Sequence, residues 1–255
     1  MSIVERLRAA GCVFAEDEAR LLAEAAGTPA DLDVLVERRV AGEPLEHLLG
    51  WAEFCGLRIA VDPGVFVPRQ RTALLVHQAV ALLADRAAPA TVVDLCCGSG
   101  AVAAAVAEAV GPVTLHAADS DPAAVRCARR NLADYGGHVH LGDLDEPLPE
   151  VLRGRVDVLV ANVPYVPSDE VAHMPPEARD HEPRVALDGG SDGLDVLRRV
   201  ASAAPAWLAP GGQLLIETSD RQAAAAAAAF ATAGLVPRVV TDDELGATAV
   251  LGHRP

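Results

Sequence analysis

Four consecutive residues, Asn162-Val163-Pro164-Tyr165, have the types and spacing to grip a planar amine. Asn162 brings a side-chain oxygen as acceptor, and Pro164 biases Val163 toward an extended conformation that aims its carbonyl the same way. Two convergent acceptors suit the two hydrogens of one NH2 group. Holding both turns the nitrogen lone pair toward an incoming electrophile, while Tyr165 can stack on the planar group that carries it. The plain alternative is a strand that ends in a proline turn. The chemical reading therefore requires a cofactor site upstream.

Asp94-Leu95-Cys96-Cys97-Gly98-Ser99-Gly100 supplies one. It reads as a glycine-rich turn from strand to helix, and Asp119 ends the next strand about 20 residues later, the spacing of an acid that grips a ribose. An adenosine cofactor follows. A dinucleotide fold prefers G-x-G-x-x-G, whereas Gly98-x-Gly100 is followed here by Ala101 and Val102. Asp94 would repel a pyrophosphate but suits a cationic ammonium. S-adenosylmethionine carries an ammonium, a ribose and a methyl on a cationic sulfur. Gly142-Asp143, after a third strand, is placed to meet its adenine amino group. The alternative is that Asp94 caps a helix and Asp143 is a turn residue.

The elements that must position these groups alternate. Strands are expected at Val92 to Leu95, Val113 to Ala118, His138 to Leu141, Val156 to Ala161, Gln213 to Glu217, Val236 to Thr241 and Thr248 to Leu251. Helical segments separate most of them, which predicts a doubly wound, mostly parallel, seven-stranded Rossmann-like α/β sheet over 89–255. Residues 1–48 read as short helices that form a small domain, a cap or a site of substrate recognition. Residues 49–88 read as a linker of β-hairpin and helix, with alternation around Asp62-Pro63-Gly64.

Composition narrows the chemistry. The chain has 255 residues and a formal net charge of -15, so a bare nucleic-acid backbone is an unlikely primary partner. All 21 basic residues are arginine. Without lysine, Schiff-base chemistry and Walker-type phosphate loops are excluded. Five cysteines without C-x-x-C spacing suggest neither a disulfide framework nor a zinc site. His138 and His140 share a strand face, but with no third ligand in sight they read as a surface pair, so no metal is expected. No apolar run reaches membrane-spanning length and Met1 to Arg8 lacks a signal-peptide core, which makes the cytoplasm the expected compartment.

Asp94 to Gly100, Asp119 and Asn162-x-Pro164-Tyr165 together resemble a class I methyltransferase that acts on planar NH2 groups. The remaining pattern resembles the protein-(glutamine-N5) methyltransferase family, whose best-known substrates are peptide chain release factors. Pro44-Leu45, Leu49-Gly50, Phe54, Gly56, Val67-Pro68-Arg69 and Thr72 match its interdomain segment. Glu182-Pro183, Ala186-Leu187 and Gly189-Gly190-x-Asp192-Gly193 match the loop after its catalytic motif. The resemblance implies methyl transfer from S-adenosylmethionine to a glutamine side chain of a protein, with Asn162, Val163, Pro164 and Tyr165 catalytic. Asp94, Cys96, Gly98, Gly100, Asp119, Asp143 and Asn162 would bind the cofactor, and Glu182 would brace the loop. Two departures mark a diverged branch. Val163 stands where the family carries proline, and Arg69-Gln70-Arg71-Thr72 stands for Arg-Pro-Glu-Thr. The motif does not by itself separate this activity from methylation of an adenine or guanine amine, and a noncatalytic cofactor-binding protein or a small-molecule enzyme stays open.

Overall fold

The structure is a computed structural model that describes residues 1–84 and 89–255. Its N-terminal part contains α1 (Ile3–Ala9), α2 (Ala15–Ala25), α3 (Pro29–Val40) and a short α4 (Leu45–Leu49). A capping box opens α1: the Ser2 hydroxyl accepts from the Glu5 amide, and the Glu5 carboxylate accepts from the Ser2 amide. The apolar stripes meet around Leu7, Ala15, Leu22 and Val36. α4 is not legible in the sequence, since five residues show no periodicity. Its Leu45, Leu48 and Leu49 pack on the same core and carry the helical part past residue 48. Arg39 is buried at the edge of this part and donates to Glu18 at 2.6 Å.

The hairpin pairs β1 (Trp51–Phe54) with β2 (Leu57–Ala60). Its turn is Cys55-Gly56, not the expected Asp62-Pro63-Gly64. Cys55 and Gly56 have φ of 50° and 78°, the left-handed pair whose twist matches that of the two strands. Asp62 to Val65 forms a second turn that leads to α5 (Ala73–Leu83). The expected limit between linker and large domain, at residues 88 and 89, abuts residues 85–88, which lie outside the described residues.

The remaining strands are β3 (Thr91–Leu95), β4 (Thr114–Asp119), β5 (His138–Leu141), β6 (Val156–Ala161), β7 (Leu208–Thr218), β8 (Val236–Asp242) and β9 (Ala247–His253). Among the described residues they form a seven-stranded sheet in the order β5-β4-β3-β6-β7-β9-β8. Pairing is parallel from β5 to β7 and antiparallel at β7-β9 and β9-β8. The other helices are α6 (Ala101–Val110), α7 (Pro122–Asn131), α8 (Pro176–His181), α9 (Asp195–Trp207) and α10 (Ala223–Thr232). β3 and β6 are covered on both faces, so their sequences run apolar instead of alternating. Val92 and Val158 join α5 and α6 in one core, while Val93 and Leu159 meet Trp207 and Phe230 in the other.

This order places the chemistry. Winding reverses between β3 and β6, whose last residues pair as Leu95 with Ala161. The loops that leave these two strands emerge side by side at the sheet's carboxyl edge, where open α/β sheets hold ligands. The glycine turn and Asn162, far apart in sequence, become neighbours for that reason. At the sheet edge the expected histidine pair is a trio. His116 on β4 stacks on both His138 and His140, and its Nδ1 lies 3.0 Å from His140 Nε2. Burial, with the two neighbouring imidazoles, pushes the His116 pKa down to about 4. Among the described residues, no cluster of His, Cys, Asp or Glu is arranged to hold a metal ion.

Candidate active site

A cavity at the carboxyl ends of β3 to β6 is lined by Asp94, Cys96, Gly98, Asp119, Asp143 and the whole of Asn162 to Tyr165. Asp94 is 2% exposed and accepts from the Ala103 amide at 3.2 Å, so it caps the first turn of α6 while facing the cavity. Burial raises its pKa to about 8, with the nearby Asp119 adding to the rise and the Ala103 amide opposing it. Asp119 accepts from the amides of Gly98 and Asp121, each at 2.9 Å. Burial raises its pKa as well. Gly98 has φ of 54° and a Cβ there would meet nothing within 4 Å, so the backbone lies open to a ligand. Gly100 does not line the cavity. It gives α7 room to approach, because a Cβ there would come within 3.2 Å of Ala128 and Leu132 on its flank. Asp143 lines the cavity but is half exposed and pairs with Arg199 of α9 at 2.7 Å.

Across the cavity, Asn162 donates its Nδ2 to Thr72 Oγ1 at 3.3 Å. With the amine end tied to this buried hydroxyl, the carbonyl end of the amide is an acceptor without a partner among the described residues. Val163 is 1% exposed, which fixes the backbone that carries its carbonyl. The Tyr165 hydroxyl donates to the buried Glu217 carboxylate at 3.1 Å and accepts from Arg71, whose Nε also reaches Glu217 at 3.0 Å. Burial, and then the Glu217 charge, push the Tyr165 pKa up, so the phenol stays protonated. The ring is thus anchored by its oxygen with its body against the cavity.

The loop after Tyr165 is held on three sides. Val166 exchanges backbone hydrogen bonds with Leu187 and Gly189. Gln222 of the turn before α10 donates to both the Tyr165 and Asp192 carbonyls at 2.9 Å. Glu182, 6% exposed, accepts from the Val67 amide at 3.1 Å and from Arg69 at 2.6 Å, which joins the loop to the linker. Glu177 of α8 completes the frame by accepting from Arg39 at 2.5 Å. The glycines of this loop are required by proximity. A Cβ on Gly193 would lie 2.2 Å from the Tyr165 carbonyl and 2.3 Å from Gln222 Nε2. Gly193→Ala is therefore expected to lower stability by about 1–3 kcal/mol, the cost of overpacking a filled site. Urea unfolding reads the change; an unshifted midpoint would contradict the packing argument.

The profile described as Methyltransferase small domain matches residues 56–175. The release factor glutamine methyltransferase of Geobacter sulfurreducens is 40% identical over 224 residues, which span 86% of this chain and 76% of that protein. The chain belongs to the release factor glutamine methyltransferase family. A 4-amino-L-phenylalanine/4-methylamino-L-phenylalanine methyltransferase of Streptomyces pristinaespiralis is 38% identical over 203 residues, 78% of this chain and 69% of that one. Relatives of comparable similarity are thus named for an amide and for an aromatic amine. A solved methyltransferase of Pyrococcus furiosus shares the fold, with a TM-score of 0.54 and 17% identity over 86% of this chain and 96% of its own. No helix among the described residues is long and apolar enough to cross a membrane.

Sequence reasoning missed the residues that position the family's motif. Thr72 was legible as part of a matching segment but not as the partner of Asn162. Glu217 and Gln222 carry no local signal, since they sit at and beyond the end of β7, 52 and 57 residues from Tyr165. Phe66, Pro68 and Met174 line the cavity as well. The two arginines of the Arg69 to Thr72 segment each bind a buried glutamate.

Proposed function

We propose that this chain transfers a methyl group from S-adenosylmethionine to the side-chain nitrogen of a glutamine in a protein, with a peptide chain release factor as substrate. The observation that carries the reading is the Asn162–Thr72 hydrogen bond, which ties the amine end of Asn162 and leaves its oxygen as an acceptor in a cavity that Val163 also lines. Bound S-adenosylmethionine would supply an electrophilic methyl on a cationic sulfur. Its groups fit the donor set of the cavity: a buried carboxyl at Asp94, a hydroxyl acceptor at Asp119 and an open glycine backbone at Gly98.

The chain's own residues then have definite work. Asn162 and Val163 each accept one hydrogen of the glutamine NH2 and fix the rotation of the amide. Tyr165, held by Glu217, packs on the amide plane and excludes water from it. An amide nitrogen is a weak nucleophile because its lone pair is conjugated, so orientation and aimed dipoles supply the rate. The extra proton can leave to solvent after transfer, and no strong base is needed. A release factor substrate would place this work in the cytoplasm. The formal charge of -15 weighs against a nucleic-acid substrate, which needs a basic footprint.

Incubation with radiolabelled S-adenosylmethionine, a purified release factor and ribosomal RNA tests the reading. Label is expected in the protein. Label in RNA alone would overturn it.

Asp94 adds a pH signature. Its carboxyl is neutral below its pKa of about 8, and an ammonium partner favours the ionised form. Cofactor-product affinity should therefore strengthen by nearly tenfold between about pH 6 and 7, with proton release on binding. Calorimetry reads both effects. A flat dependence, or one that persists in Asp94→Asn, would contradict this role.

A further inference from the structure

The charged groups that line the cavity divide into two halves. Near the ends of β3, β4 and β5 they are the acidic groups of Asp94, Asp119, Asp121 and Asp143, while on the side of Tyr165 they are the guanidinium groups of Arg69 and Arg71. Each arginine is held from behind by a buried acid, Arg69 by Glu182 at 2.6 Å and Arg71 by Glu217 at 3.0 Å. Arg71 is the arginine beside Tyr165. Its Nε is bound to Glu217 and Nη2 to the Tyr165 hydroxyl. Its Nη1 has no hydrogen-bond partner among the described residues, and the side chain remains 47% exposed where it lines the cavity. A half-exposed guanidinium locked on two sides that keeps one donor group unpaired is pre-organised for an anion.

We propose that Arg71 is a specificity-determining residue that binds a carboxylate carried by the methyl acceptor. The inference rests on the reading that Asn162 and Tyr165 hold the acceptor nitrogen. The Arg71 guanidinium carbon lies 5.7 Å from the centre of the Tyr165 ring, so the carboxylate sits within one residue of the nitrogen. That carboxylate has two sources: an acidic residue next to a glutamine, or the α-carboxylate of a free amino acid whose side chain bears the amine. Neither needs a basic surface elsewhere. The acidic half of the cavity would repel such a group, and this leaves the Arg71 side as its place.

The test is calorimetric binding to the intact chain saturated with S-adenosylhomocysteine, so that it does not depend on turnover. One pair of probes is an end-capped peptide containing Gln followed by Asp, and the same peptide with Asn. The other pair is 4-amino-L-phenylalanine and its carboxamide. In at least one pair the carboxylate form should bind about tenfold or more tightly to the native chain, as a charge-assisted hydrogen bond would give. The preference should vanish in Arg71→Gln and return in part in Arg71→Lys. Preference within the peptide pair assigns a neighbouring acid, and preference within the amino-acid pair assigns an α-carboxylate. Equal binding within both pairs, no binding by any probe, or a preference that survives Arg71→Gln would overturn the proposal. So would a loss of S-adenosylhomocysteine affinity in Arg71→Gln with the preference unchanged, which would assign the arginine to the cofactor's carboxylate. Carboxylate preference without methyl transfer to any glutamine removes the glutamine reading and leaves Arg71 in place; methyl transfer to both peptides without preference does the reverse.

Discussion

Replacing Asn162 by alanine is expected to lower turnover by about 10²-fold or more, even when cofactor is saturating. The magnitude follows from what the side chain is asked to do. In the proposed mechanism its oxygen is one of two acceptors that fix the substrate NH2, and Thr72 tethers its other end at 3.3 Å so that this oxygen would already be aimed. A pre-aimed dipole costs no reorganisation when the reaction occurs, which is why removing one is severe. Thr72→Val tests the same point more gently. It keeps the bulk of a residue that is 2% exposed but releases the Asn162 amide, so the loss should be smaller and confined to turnover. Near-native turnover in Asn162→Ala, with cofactor bound, would sink the mechanism.

Asp119→Ala should fail in the opposite way, weakening cofactor binding by roughly 10²-fold with much of the turnover retained at saturation. The carboxylate does two jobs. It accepts from the Gly98 and Asp121 amides at 2.9 Å, which shapes the glycine turn, and it is the proposed acceptor for the ribose hydroxyls. Hydrogen bonds to a charged group contribute about 1.5–3 kcal/mol each, so losing even two of them accounts for the predicted factor. Titration calorimetry with S-adenosylhomocysteine measures it directly, and an unchanged dissociation constant would contradict the ribose role. The two variants separate binding from chemistry on opposite sides of one cavity.

The sheet was legible because its signals are local. Apolar runs such as Val156 to Ala161 mark strands buried on both faces, and the observed β6 has those bounds. The glycine turn and Asn162-Val163-Pro164-Tyr165 stand out by type alone, and the fold brings both to one cavity. What the sequence hid depends on long-range contact. Nothing near Tyr165 indicates that its hydroxyl would meet Glu217 or that its carbonyl would meet Gln222. Gly100 belongs to the glycine turn, and only the fold shows that it stands outside the cavity lining and lets α7 approach. The hairpin turn was misplaced because Pro-Gly is the louder signal, while Cys55 adopts a left-handed conformation unusual for a residue with a side chain. β7 begins earlier than its apolar stretch because Leu208 pairs with Val156 ahead of an irregularity in register.

The most direct test of the central claim is tandem mass spectrometry of a release factor from the same organism after incubation with S-adenosylmethionine. The native chain and Asn162→Ala are compared under identical conditions. One methyl group on the side-chain nitrogen of a glutamine in the factor, absent with the variant, is the predicted result. Methyl on another atom, or equal modification by the variant, would contradict the account of how this cavity selects and holds its acceptor.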